Sequence, residues 1–257
     1  MGKDVGKNEV TIIQYNLQHK KVATATLCRR LDVKEDAIAL VQEPWIIKTK
    51  ITGLSSLNGQ IFSLPSNQQP RTAIYVPRKI KASLMAQFCT SDVTAVKVKF
   101  PWGKGKNREF ILAASVDLPL DAATLPPTKE KEDLVDHCLS QRVELIICYD
   151  SNSHHLDWGS RDNNARGKSL YNYIIRKDLY ILNRDTEPTF INVHSQTFIN
   201  IWLATAEISN KIQNWQVSED TSMSDHRLLT YNISLEKSLI DYNRLTLQPT
   251  LRRFSAE

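Results

Sequence analysis

Residues 10–42, VTIIQYNLQHKKVATATLCRRLDVKEDAIALVQ, decide the fold class. Val10 to Gln14 is a short apolar run, Lys20 to Leu31 carries helical spacing, and Ala37 to Gln42 is a second apolar run, so the chain opens as strand, helix, strand. Working outward, strand-like runs recur at Arg71–Val76, Thr94–Phe100, Phe110–Ser115, Glu144–Tyr149, Thr197–Ala204 and Leu228–Ile233, each bounded by polar or Pro/Gly-containing segments. Helical spacing returns at Thr128–Gln141, behind a Pro-Pro-Thr start signal, and at Arg166–Lys177. Many strands with a few interspersed helices, and neither a repeat nor a low-complexity linker, predict one α/β or α+β domain of sheets packed face to face with helices outside. The strand pattern lapses from Ser238 and the end turns basic near Arg252 and Arg253. Residues 1–237 are therefore expected to form the domain, and 238–257 a tail or the start of a linker.

With 257 residues, 41% hydrophobic and 24% charged, the chain is long enough for a large core and has ordinary globular composition, which excludes collagen-like, coiled-coil and bulk-disordered classes. Its longest apolar stretches, around Phe110–Val116 and Glu144–Tyr149, fall far below the roughly 18 residues of a membrane span. No membrane partner is expected. The start, MGKDVGK, lacks an apolar signal region, and an intracellular protein is the expectation. Cys28, Cys89, Cys138 and Cys148 show no C-x-x-C spacing, so they read as buried thiols in a reducing compartment, not as a zinc site. The 33 basic against 28 acidic residues, net +5, suit a polyanionic partner but are common without one.

Polar residues able to hold a hard cation recur where strands end: Asn16 after the first, Glu43 after the second, and Asp150 and Asn152 after Glu144–Tyr149. Strand ends gather on one edge of a sheet, so these four are candidates for convergence. Each has a plainer reading, as a turn residue for Asn16 and for Asp150-Ser151-Asn152, or as a solvated loop carboxylate for Glu43 before Pro44. Ser224-Asp225-His226, just before an apolar strand, offers a histidine with an acidic neighbour, a pairing suited to general-base work or to stabilising a phosphate transition state.

In this order, these residues resemble the exonuclease, endonuclease and phosphatase superfamily of apurinic endonucleases and deoxyribonuclease I. Within it the chain is most similar to the endonuclease domains of non-LTR retrotransposons, especially the insect R1 and TRAS-like type. The resemblance is carried by Gln14-Tyr15-Asn16-Leu17-Gln18, Val41-Gln42-Glu43-Pro44-Trp45, Arg71-Thr72-Ala73-Ile74-Tyr75, Asp150-Ser151-Asn152-Ser153-His154-His155, Trp158-Gly159-Ser160 with Asn164, Arg166 and Gly167, Pro188-Thr189-Phe190, and Ser224-Asp225-His226-Arg227. It implies a four-layered α/β sandwich, two packed sheets flanked by helices, and Mg²⁺- or Mn²⁺-dependent nicking of double-stranded DNA that leaves a 3′-hydroxyl to prime reverse transcription. Glu43 and Asn16 would hold the metal with Asp225 near it, Asp150 would orient or deprotonate the attacking water, Asn152 would position that water or the phosphate, and His226 would contact a scissile-phosphate oxygen. It further implies action in the nucleus after cytoplasmic synthesis, with a reverse transcriptase domain in the same polyprotein as a partner.

His154 and His155 lack a third His or Cys ligand for zinc and are expected to border the site or touch DNA. Arg71, Arg161 and Arg166 are candidate phosphate contacts, although a buried Trp158 among solvated arginines is an equally ordinary arrangement. Two positions depart from the family. Asn200, in Phe198-Ile199-Asn200-Ile201-Trp202-Leu203, stands where an aspartate hydrogen-bonds the catalytic histidine, and Asp117 stands where a tyrosine contacts phosphate. Both point to a weakened enzyme, or to an inactive domain that binds DNA or a partner without cutting.

Overall fold

The computed structural model describes residues 9–54, 57–64, 69–102, 106–116, 124–183, 187–220 and 222–234. Along the chain these form β1 (Glu9–Asn16), α1 (Lys21–Val33), β2 (Ile38–Gln42), a small ribbon of β3 (Ile46–Ile47) and β4 (Lys50–Ile51), then β5 (Gly59–Phe62), β6 (Thr72–Pro77) and β7 (Lys81–Leu84). Next come β8 (Val93–Trp102), β9 (Lys106–Val116), α2 (Lys129–Gln141), β10 (Glu144–Asp150), α3 (Ala165–Arg176) and β11 (Tyr180–Ile181). A hairpin of β12 (Phe190–Ile191) and β13 (Gln196–Thr197), then β14 (Asn200–Ala204), α4 (Ala206–Ser209), β15 (Ile212–Val217) and β16 (Leu229–Ser234) complete the described chain.

Two six-stranded mixed sheets result, ordered β15-β16-β1-β2-β6-β5 and β11-β14-β10-β9-β8-β7. The period-2 side-chain alternation of a strand assigns each sheet an inner and an outer face. Ile12, Ile38, Leu40 and Ile74 of the first sheet meet Val96, Val98, Leu112, Ile146 and Trp202 of the second in one buried cluster between them. The alternate residues Ile13, Tyr15, Ala39, Val41 and Ala73 pack under Ala23, Leu27 and Leu31 of α1. Ala95, Ile111, Ala113, Leu145 and Ile147 pack under Leu134, Val135 and Cys138 of α2 and Leu170, Tyr173 and Ile174 of α3. Helix, sheet, sheet, helix is the expected four-layered α/β sandwich.

The strands read from the sequence are present to within a few residues at their ends, except that Thr197 falls in β13, apart from β14. Among the strands of four residues or more, three others, β5, β7 and β15, escaped the pattern. They are half-exposed sheet edges with too few apolar residues to show the alternation. Cys89, Cys138 and Cys148 are buried and Cys28 is only half-buried, so the reading of four buried thiols needs that correction. Burial pushes the Cys138 thiol up to about 12, which leaves it unreactive. Among the described residues no helix is long and apolar enough to cross a membrane.

At one edge of the sandwich the inward positions turn from apolar to polar. Following the alternation outward, β1 ends in Gln14 and Asn16, β2 in Gln42 and β10 in Asp150, while β6, β8 and β14 begin in or near Thr72, Thr94 and Asn200, all of them buried. These side chains tie the sheets together. Gln42 accepts from Gln14 (2.9 Å) and donates across the gap to the Ser115 carbonyl (2.9 Å), and the Thr72 and Thr94 hydroxyls meet at 2.8 Å. Because buried polar groups are costly when orphaned, the Gln42–Ser115 and Thr72–Thr94 ties fix the separation of the sheets, while Gln14 Oε1 stays without a partner. Gln42→Ala removes both bonds, and the free energy of unfolding in urea is expected to fall by about 1–3 kcal/mol.

Candidate active site

The polar edge carries the predicted site. Asn16 Nδ2 donates to Asp150 Oδ2 at 2.6 Å, joining the last residue of β1 to the last residue of β10 across the two sheets. Asp150 pairs in register with Asn200 on β14. Asn200 Oδ1 lies 3.2 Å from His226 Nδ1, and the other ring nitrogen lies 3.8 Å from Asp150 Oδ2. Since an amide oxygen only accepts, Nδ1 is the protonated nitrogen and Nε2 faces the carboxylate. Asn16, Asp150, Asn200 and His226 thus form one buried chain, and Asp150 Oδ1 is buried without a hydrogen-bond partner.

The support under His226 comes from Pro188-Thr189-Phe190. Phe190 meets the imidazole edge-on, with ring centroids 4.9 Å apart and planes at 73°, and its backbone bridges to that of His226. The buried Thr189 hydroxyl accepts from the amides of Ile199 and Asn200, both at 3.1 Å, and so sets where β14 begins. The Ser224 hydroxyl donates to the Asn16 carbonyl (2.8 Å) and the Asp225 amide to Gln18 Oε1 (2.9 Å), which locks the histidine loop onto the end of β1. Asp225 itself is half-exposed, 3.6 Å from Lys20 Nζ.

Glu43 follows Gln42 directly and is held from two sides. Its amide donates to the Arg71 carbonyl and its carbonyl accepts from the His19 amide, both at 2.8 Å. Oε1 accepts from Arg71 Nε (3.0 Å) and Nη2 (2.8 Å), while Oε2 lies 2.6 Å from His19 Nε2. The opposite nitrogen of His19 donates to the Pro44 carbonyl at 2.9 Å. Gln18, His19 and Glu43 all have left-handed backbone, with φ of 47°, 55° and 43°, a conformation that a non-glycine residue keeps only where surrounding contacts enforce it. Burial draws the Arg71 guanidinium down, but the Glu43 carboxylate, with Asp92 behind it, outweighs this and holds it above its ordinary value. His19 was not read from the sequence; only its place in the turn after Asn16 hinted at it.

The loop after β10 is built on α3. Asn164 caps the helix by accepting from the Gly167 amide (2.7 Å) and also accepts from the His154 amide (3.1 Å). Arg166 is buried and donates from Nε and Nη2 to the Ser151 carbonyl, an arrangement that differs from the phosphate contact expected of it. Arg71, engaged by Glu43 and Asp92, is half-exposed. Trp158 is buried and donates to the Ser153 carbonyl (3.1 Å), and His155 stacks on Tyr171 at 4.1 Å, where burial lowers its basicity. His154 pairs with Asp162 at 3.0 Å, and Arg161 is exposed. Asn152, at φ 48°, is half-exposed on the same loop. Asp117 lies outside the described residues.

Among the described residues no three His, Cys, Asp or Glu side chains converge as a metal cluster. The donors present are hard oxygens: the Glu43 carboxylate, the Asn16 amide oxygen, which also accepts from the Gln18 amide at 2.9 Å, and the unpartnered Asp150 Oδ1. Such a set fits a small divalent cation that keeps most of its waters.

The fold and this edge define the DNase I-like class of α/β sandwich, the architecture of the apurinic endonucleases. Residues 121–230 match the family model described as Endonuclease-reverse transcriptase. Among solved structures, the chain is similar to the endonuclease domain of TRAS1, a telomere-specific non-LTR retrotransposon, at 25% identity and a TM-score of 0.73 over 87% of this chain and 98% of that one. It shares its fold with the AP endonuclease LMAP from Leishmania major, at 9% identity and a TM-score of 0.63 over 88% of each chain. It shares it also with the catalytic domain of Xenopus laevis APE2, at 14% identity and a TM-score of 0.63 over 88% and 92%. No curated protein sequence matches the chain.

Gly167 explains one of the run of residues that carried the resemblance. A Cβ there would sit 1.8 Å from the His154 carbonyl oxygen, a backbone atom that cannot give way without moving the loop bearing Asn152. Gly167→Ala is expected to lower the thermal midpoint and displace residues 151–155. Proteolysis of that loop under native conditions should quicken, whereas a midpoint and cleavage rate equal to the parent's would show that the close approach is not structural.

Proposed function

We propose that the chain is a divalent-metal-dependent DNA endonuclease of the non-LTR retrotransposon kind, which nicks double-stranded target DNA and leaves a 3′-hydroxyl that primes reverse transcription. The observation that carries this reading is the buried Asn16–Asp150–His226–Asn200 chain beside the doubly clasped Glu43, with one Asp150 oxygen unpartnered. The match to a family described as Endonuclease-reverse transcriptase supports the priming role and a reverse transcriptase domain in the same polyprotein, and with it a nuclear site of action.

In this reading Glu43 and Asn16, with Asp225 near them, hold Mg²⁺ or Mn²⁺, which supplies charge neutralisation for the phosphodiester when bound. Arg71 and His19 fix the rotamer of Glu43 so that it is preorganised as a ligand. Asp150 Oδ1 takes the proton of the attacking water or orients it, and Asn152 positions that water or the phosphate. His226, buttressed by Phe190, turns Nε2 toward a scissile-phosphate oxygen and offsets the charge that builds there. His154, His155 and Arg161 line the loop over which DNA would pass.

Nicking of supercoiled plasmid with Mg²⁺ or Mn²⁺ tests the reading. Glu43→Ala is expected to abolish nicking with the circular dichroism spectrum unchanged, and a variant that nicks at the parental rate would overturn the metal assignment. Asn200 favours a second reading, a DNA-binding domain with weakened or no cleavage, because an amide orients an imidazole without stabilising its protonated form. Asn200→Asp places a carboxylate against Nδ1 and should raise nicking about tenfold, the effect of roughly 1.4 kcal/mol of added charge stabilisation. Parent and variant both inert with either metal, while both bind DNA, would favour the binding module.

A further inference from the structure

The positive charge of the chain is concentrated in one part of it. Residues 10–91 contain eleven lysines and arginines against four acids, a net +7, so the remainder is net −2. From Pro44 to Ser91 there is no acidic residue. The topology divides these charges between the two edges of the sandwich. Lys34, Asp36, Arg78, Lys79 and Lys81 lie on the turns at the edge away from Asn16, where Lys79 ion-pairs with Asp36. At the Glu43 edge, the segments following β1 and β2 bring Lys20, Lys21, Lys48 and Lys50, all exposed, beside two acids, Glu43 and the Asp225 that lies 3.6 Å from Lys20 Nζ.

These lysines stand on rigid supports. The ribbon β3–β4 closes through Lys48 and Thr49, with Ile47 opposite Lys50, and Gln69 Nε2 donates to the Lys48 carbonyl at 3.1 Å. The base of the ribbon is pinned to α1: Lys21 Nζ lies 5.6 Å from the Trp45 ring centre, Cys28 Sγ donates to the Gly53 carbonyl at 3.2 Å, and Thr52 returns a backbone bond to Trp45 at 2.9 Å. Gly53, at φ 88°, leaves no room for a Cβ between Thr24 and Trp45. The first turn of α1 holds no acidic residue, and among the described residues neither Lys48 nor Lys50 has an ion-pair partner.

We propose that Lys20 and Lys21 at the start of α1 and Lys48 and Lys50 on the β3–β4 ribbon form a phosphate track, gripping the backbone of the duplex arm that leaves the scissile phosphate on the Glu43 side. The inference deepens the proposed function and rests on it. A duplex is the occupant because the track continues the edge at which a phosphodiester would sit, and because a row of exposed lysines on fixed backbone suits sequence-independent phosphate contacts, which position a duplex without reading its bases.

Equilibrium binding of the intact chain to a fluorescent duplex, in EDTA and at several salt concentrations, tests the track without any cleavage. Each lost phosphate contact lowers the slope of log K against log salt by about 0.9. Lys48→Ala/Lys50→Ala should therefore reduce the slope by about 2 and weaken binding at low salt, whereas Lys79→Ala/Lys81→Ala at the opposite edge should leave both as in the parent. A parent that binds duplex with a steep slope, and a ribbon variant that matches it, would overturn the track alone. A parent that does not bind duplex at all would overturn the nuclease reading and the track with it. Unchanged urea midpoints in both double variants keep either result from being a folding effect.

Discussion

The hydrogen bond between Asn16 and Asp150 is the constraint on which the site depends. It joins the ends of two central strands that belong to different sheets, at the point where the apolar filling between those sheets stops. Dispersion and burial hold the sheets together over most of their area, yet they are not directional and leave relative position loosely specified. Asn16–Asp150, Gln42–Ser115 and Thr72–Thr94 supply the missing direction, since a buried donor and acceptor hold their separation or lose their pairing. The side chains of the candidate site grow from these same strand ends. Registration of the sandwich and geometry of the site are therefore one property.

Glu43 shows how such an edge presents a charged group. A carboxylate at a strand end would sample several rotamers in a solvated turn, and here each of its oxygens has its own partner. The clasp works because the backbone is engaged as well: the two residues that touch the side chain, His19 and Arg71, also bond the Glu43 amide and carbonyl. The left-handed φ values of Gln18, His19 and Glu43 are the local strain of that closure, and the neighbouring ladder between β1, β2 and β6 is rigid enough to sustain it.

Much of this was legible in the sequence, because strands buried on both faces alternate apolar residues of different layers and then end in polar ones. Val10, Ile12, Gln14 and Asn16 are a single inward face, as are Ile146, Cys148 and Asp150, and continuing the period leads from core to site. Asn200 was singled out by the resemblance alone, and only the fold shows that it begins a strand and pairs with Asp150. The edge strands β5 and β15 were illegible because water, not packing, meets half their side chains. Arg166 was misjudged since a charge read along a chain looks solvated; only the fold shows that the start of α3 abuts the Ser151 carbonyl. His19 and Thr189 act through loops whose paths no periodicity encodes.

The amides of the site fix proton positions without adding charge. With Asn200 accepting from Nδ1, the neutral ring of His226 presents a lone pair at Nε2, which can accept from a water but cannot donate to a phosphate. Donation requires a second ring proton, and the nearest group able to favour it is Asp150, whose Oδ2 lies 3.8 Å away and already accepts from Asn16. Asp150 thus faces two neighbours through one oxygen, while its other oxygen is buried without a hydrogen-bond partner. An aspartate at position 200 would place a second negative charge within the same buried chain, on the Nδ1 side of the ring. With an amide there, Asn16 and His226 both lie against one oxygen of Asp150, so one substitution at Asp150 disturbs both the tie between the sheets and the setting of the imidazole.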